Sequence, residues 1–158
     1  MHMYRIFTFS IFLSAVFFSC RQKEAKSIVA ADKNEVLTAD IEFSRLSEAK
    51  GMKAAFIEYI DSNGVLLRPN EMPIIGANAI DYLIQQNDTG YSLTWQPNGG
   101  DISLSGDLGY TYGIYAMRSS SKDTVIYGTY TSIWKKQQDG KWKFVLDTGN
   151  DGIGENAR

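Results

Sequence analysis

Asp61, Asp101, Asp107 and Asp147, a series of tyrosines and Arg68 are the residues whose types and positions could carry chemistry in this chain. A carboxylate held among apolar groups has a raised pKa and serves as acid or base. Arg68, directly before Pro69, cannot be a base near neutral pH, but its guanidinium can hold a carboxylate through paired N–H donors. Asp61 lies beside Asn63-Gly64, and Asp101 and Asp107 adjoin glycines, which points to turn roles. Asp147 stands near a strand end and, with Tyr112, is the candidate for catalysis; a structural ion pair is the competing role. Strict alternation puts Asp147 on the strand face opposite Phe144 and Leu146.

The chain has one histidine, His2, and one cysteine, Cys20. Arg5 gives the N-terminus a basic front, Ile6 to Phe18 is nearly all apolar, and Ser19 precedes the thiol. This is the layout of a lipoprotein signal peptide, too short for a permanent span of roughly 20 residues. The expectation is a signal peptide over residues 1–19 and a lipidated Cys20, although Phe17 and Phe18 depart from the usual small residues before such a cysteine. Residues 20–31 then form a tether, 32–150 a single domain and 151–158 a flexible tail. The protein is expected in the cell envelope, held on the periplasmic or outer-membrane side by its lipid.

Without residues 1–19 the chain has no histidine, so Ser-His-Asp and Cys-His mechanisms and His/Cys zinc sites are excluded. No metal and no cofactor is expected. Lys and Arg number 16 against 18 Asp and Glu, a formal charge of −2. Both signs are scattered, and a nucleic-acid partner would require a basic stripe.

The elements that must position these groups fall into two halves. Asp32 and Glu35 read as a capping box, followed by a helix in which Val36, Leu37, Asp40, Ile41, Phe43 and Leu46 mix an apolar stripe with charged neighbours. Gly51 bends or breaks it. Met52, Ala55, Phe56, Tyr59 and Ile60 mark a second helix, stopped at Asp61–Gly64 with Gly64 left-handed. Val65–Leu67 is a short strand, 70–76 a loop, and Ala79, Ile80, Leu83 and Ile84 a third helix. From residue 90 the period becomes two, and Asp139-Gly140 marks a hairpin. Helices followed by antiparallel strands define an α+β fold. Gly109, Gly113 and Gly128 mark either bulges and bends or relief of crowding among tyrosines.

The segments Gly106–Gly113 (GDLGYTYG), Gly128–Lys136 (GTYTSIWKK) and Asp139–Lys143 (DGKWK) resemble the NTF2-like superfamily, in particular its DUF4440 or SnoaL-like group, over roughly residues 33–149. The resemblance implies a cone, with three helices packed on a curved sheet around a cavity. It also implies pairing of outer sheet faces, hence a homodimer. Ketosteroid isomerases of this superfamily place a carboxylate base at the position held here by Arg68, which puts that mechanism in doubt. The side chains expected near the cavity are Tyr59, Arg68, Trp95, Tyr110, Tyr112, Tyr115, Tyr130 and Trp134.

Three functions compete. A noncatalytic binder of a small apolar ligand or a protein partner should have a closed apolar cavity without a carboxylate. A lyase, isomerase or hydrolase should bring a buried Asp and a Tyr donor to an open cavity. A dimerisation module should fill its cavity and carry a large outer patch including Thr111, Thr129, Thr131 and Ile133.

Overall fold

The computed structural model describes residues 32–153. The proposed signal peptide, Cys20 and the whole of the tether lie outside the described residues. Three helices, α1 (Asn34–Lys50), α2 (Met52–Tyr59) and α3 (Ala77–Gln85), pack on a curved, unclosed sheet. Its strands are β1 (Ile60–Leu67), β2 (Ile74–Ile75), β3 (Tyr91–Ile102), β4 (Leu108–Ser119), β5 (Val125–Lys136) and β6 (Trp142–Asp151), in the order β2-β1-β6-β5-β4-β3. All neighbours are antiparallel except β1 and β6. No described helix is long and apolar enough to cross a membrane.

The N-terminus of α1 differs from a full capping box. Asp32 accepts the Asn34 N–H at 2.9 Å, but Glu35 turns away to Lys136 Nζ at 2.6 Å and Trp142 Nε1 at 3.3 Å. Glu35 thereby ties the helix start to the β5–β6 hairpin. Gly51 does separate α1 from α2, at φ 90°. The expected stop at Asp61–Gly64 is corrected: these residues already belong to β1, and Gly64 has no positive φ. They form an irregularity in the β1–β6 register between Ile60 and Val65. An added Cβ at Gly64 would lie 2.5 Å from Ile60 Cγ1, so close packing, not a left-handed turn, requires the glycine.

The core centres on Phe43, whose ring meets Trp95 at 4.5 Å, Phe56 at 4.8 Å and Tyr59 at 4.9 Å between centroids. The first two meet it edge to face and Tyr59 is stacked, geometries that add to ordinary area burial. Beside Phe43, however, α1 presents polar groups to the sheet. Ser44 Oγ accepts the Trp95 N–H and donates to the Trp95 carbonyl, both at 2.8 Å, and Ser47 Oγ donates to Leu93 O at 2.6 Å. Asp40, Ser44 and Ser47 are all buried on this helix. The α1–β3 seam is therefore hydrogen-bonded as well as apolar.

Two bulges set which residues face the helices. Asn98 is the extra residue in β3, between Pro97 and Gly99. Val145 is the extra residue in β6, where Ile133 opposes Leu146 but Trp134 opposes Phe144. One added residue reverses the side-chain parity of everything beyond it. Phe144 and Asp147 consequently share the inner face, which corrects the strict alternation expected from sequence.

Gly113 and Gly128 relieve crowding. A Cβ at Gly113 would come 2.9 Å from Tyr130 Cε1, and one at Gly128 2.4 Å from the Tyr115 hydroxyl and 2.3 Å from the Asn150 carbonyl. The Tyr115 ring thus crosses the sheet only because Gly128 is bare. Gly128→Ala is expected to destabilise the domain by about 1–3 kcal/mol, the usual cost of overpacking, seen as a lower urea midpoint at unchanged slope.

Candidate binding cavity

Between α2, α3 and the inner face of β3–β6 lies a cavity of about 270 Å³. Its walls are largely aromatic and apolar: Phe43 and Phe56 at the base, Tyr82 from α3, Tyr91, Leu93 and Trp95 from β3, and Tyr115 and Met117 from β4. The inner residues of β5 and β6 complete it, Tyr130 and Ser132 on one strand, Asp147, Gly149 and Asp151 on the other.

Arg68 follows β1 with the same parity as buried Leu66, so its side chain turns inward above the parallel neighbour β6. One guanidinium nitrogen donates to Asp147 Oδ1 at 2.8 Å. The other donates to the carbonyls of Leu67 at 3.0 Å and Asp147 at 3.2 Å. The group also lies 5.6 Å above the Phe56 ring centroid. Ser132 donates to Asp147 Oδ2 at 2.8 Å. Both oxygens of Asp147 are thus engaged, one by a cation and one by a hydroxyl.

Behind the aromatic wall sits Asp40, fully buried on α1. Trp95 Nε1 donates to one carboxylate oxygen at 2.8 Å and the Tyr130 hydroxyl to the other at 2.6 Å. The nearby Thr111 hydroxyl also favours the Asp40 charge, and it accepts from Trp134 Nε1 at 2.8 Å. Burial raises the Asp40 pKa, and these donors offset the rise only in part. Burial and the nearby Asp40 charge push the Tyr130 phenol strongly upward, so it keeps its proton. Asp40 therefore fixes the orientation of two cavity-wall rings through groups the ligand space does not reach. Tyr115 donates to Asp151 Oδ1 at 3.0 Å, and burial together with this bond lifts its pKa to about 12.

The structure sorts the sequence candidates. Arg68, Trp95, Tyr115, Tyr130 and Asp147 line the cavity. Tyr59 and Trp134 do not; they pack in the core on the far side of Phe43, with ring centroids 6.1 Å apart. Tyr110 and Tyr112 are about half exposed and stack on each other on the outer sheet face. Tyr112 is therefore no catalytic partner of Asp147. Thr111, expected outside, is fully buried. The alternation of β4 is as the sequence has it, but the buried side is the one with Thr111 and Gly113, because the Trp134–Thr111 hydrogen bond and the Tyr130 ring need that side. Asp61 accepts from Gln137 Nε2 at 2.9 Å, Asp101 accepts the Ile102 N–H, and Asp107 accepts from Ser103 and Ser105, all away from the cavity.

Sequence reasoning missed Asp40, Tyr82, Tyr91, Leu93, Met117 and Asp151. Tyr91 and Leu93 share the parity of Trp95, and Met117 that of Tyr115, so those three were within reach of the pattern. Among the described residues no cluster of three metal-ligating groups occurs.

No known protein family and no curated protein matches the sequence. Solved structures do match the fold. A ketosteroid isomerase-like protein from Erwinia carotovora is 14% identical, with 77% of this chain and 99% of that one covered at a TM-score of 0.55. A nuclear transport factor 2 (NTF2-like) superfamily protein from Salmonella enterica is 10% identical, with 79% and 94% covered at 0.57. An NTF2-like protein with a cystatin-like fold from Novosphingobium aromaticivorans is 15% identical, with 80% and 85% covered at 0.57. The chain has the NTF2-like fold, as the sequence resemblance implied.

Proposed function

We propose that this is a lipid-anchored cell-envelope protein whose cone binds a small, largely apolar molecule without turning it over. The observation that carries the reading is the aromatic cavity of about 270 Å³ whose buried carboxylate, Asp147, is already held by Arg68 and Ser132. The simplest binder would have no carboxylate at its cavity, and this one does. The preference for binding rests instead on Asp147 being committed to its partners. Tyr130 and Tyr115 likewise give their protons to carboxylates rather than to the cavity. A lyase, isomerase or hydrolase of the SnoaL or ketosteroid isomerase kind remains the second reading, favoured by the convergence of Asp147 and several tyrosines on one open space. A cavity left unfilled argues against a module that serves dimerisation alone. A homodimer through the outer face is compatible with either reading and is proposed on the exposed Tyr110, Tyr112, Ile114 and Tyr127.

The experiment is titration of the domain with N-phenyl-1-naphthylamine, a neutral apolar fluorophore excited through energy transfer from tryptophan. Saturable binding is expected in the wild type and in Tyr112→Ala on the outer face, and loss in Met117→Trp, which fills the cavity. Binding that survives the cavity substitution but not the outer one would refute the reading.

A further inference from the structure

We propose that the natural ligand carries a protonated amine on its apolar body, seated at the Asp151 end of the cone; this inference rests on the binding reading above. The first support is the hydrogen-bond inventory. On the β4–β6 side of the wall the Tyr115 and Ser132 hydroxyls donate to Asp151 and Asp147 respectively, so toward a ligand their oxygens offer only lone pairs. A ligand must therefore bring donors to these positions.

The second support is charge. Three charged side chains line the cavity, Arg68, Asp147 and Asp151. Arg68 and Asp147 neutralise each other at 2.8 Å. Among the described residues, no lysine or arginine forms a salt bridge with Asp151. The unbalanced charge of the wall is negative, so an anionic ligand is disfavoured even though an arginine is present.

The third support is placement. Asp147, Gly149 and Asp151 face the same side of β6, opposite Ser132, Tyr130 and Gly128. At the rise of an extended strand, the two carboxylates are about 13 Å apart along it. Asp147 is buried and Arg68 half-buried, whereas Asp151 is exposed at the rim. An apolar body can therefore fill the cone while its cationic head stays hydrated beside Asp151. The Tyr115 ring, held over Gly149 with Cε1 3.5 Å from where a Cβ would be, offers a π face at the same spot.

The test is displacement of N-phenyl-1-naphthylamine at pH 7 by octylammonium, 1-octanol and octanoate, in the wild type and in Asp151→Asn. Octylammonium is expected to bind about tenfold more tightly than octanoate, with octanol between, because an ion pair and a ring face each contribute modestly at an exposed rim. In Asp151→Asn, whose exposed side chain can still accept the Tyr115 hydroxyl, the gap should collapse. Equal or tighter binding of octanoate, or a gap unchanged in the variant, overturns the amine proposal while leaving binding intact. Failure of the fluorophore to bind the wild type at all overturns both.

Discussion

Asp40→Ala should lower the stability of the domain by about 3–4 kcal/mol, measured by urea unfolding. The magnitude follows from what the side chain leaves behind. Trp95 Nε1 and the Tyr130 hydroxyl would both lose their acceptor in a site closed to water, and each orphaned donor costs its desolvation. Asp40→Asn should cost less, since the amide oxygen still accepts from Trp95. The two variants also separate charge from shape. Because burial raises the folded carboxyl pKa above its unfolded value, Asp40 favours the fold most below about pH 4. That contribution is lost as pH rises through the folded value. The stability of the wild type relative to Asp40→Asn should therefore fall from acid toward neutral pH. A flat difference would mean that Asp40 is not buried in the manner described.

Arg68→Met should cost about 2 kcal/mol. Breaking a buried ion pair typically costs more, but the Arg68 side chain is 20% exposed and water can screen what remains. Asp147, 8% exposed, is left with only Ser132. Neutralising the survivor tests this account. In the double variant Arg68→Met, Asp147→Asn, the amide still accepts from Ser132, and stability should return to within about 1 kcal/mol of the wild type. A double variant as unstable as the sum of the singles would show that the pair is not coupled. Ligand titrations on the same proteins would then report whether the pair shapes the base of the cone.

The order of elements was legible because it is written in period. The switch from helical spacing to alternation near residue 90 predicts the long strands β3–β6, and Asp139-Gly140 predicts the β5–β6 hairpin, where Gly140 takes φ 84°. The cavity was legible only in part. Trp95 and Tyr130 announce themselves as large alternating aromatics, but so do Tyr110 and Tyr112, and alternation alone does not say which face is buried. The face is chosen by groups that look unpromising in sequence. Thr111 is needed as the acceptor for Trp134 Nε1, and Gly113 leaves room for the Tyr130 ring. The bulge at Asn98 had a signature in Pro97 and Gly99, which flank it within a strand, but the one at Val145 has none, because it is a property of two paired strands. Asp40 looked like one of the charged neighbours of an amphipathic helix. Its burial becomes intelligible only with the donors that reach it from two strands, β3 and β5.

The irregularity at Val145 gives β6 a division of labour. Upstream, Trp142 and Phe144 point their rings into the hydrophobic interior; downstream, Asp147, Gly149 and Asp151 line the binding space. A dislocation of a single residue thus lets one continuous strand serve two masters, foundation at one end and recognition at the other. Residues past the dislocation can change to suit a new ligand while those before it keep the domain folded.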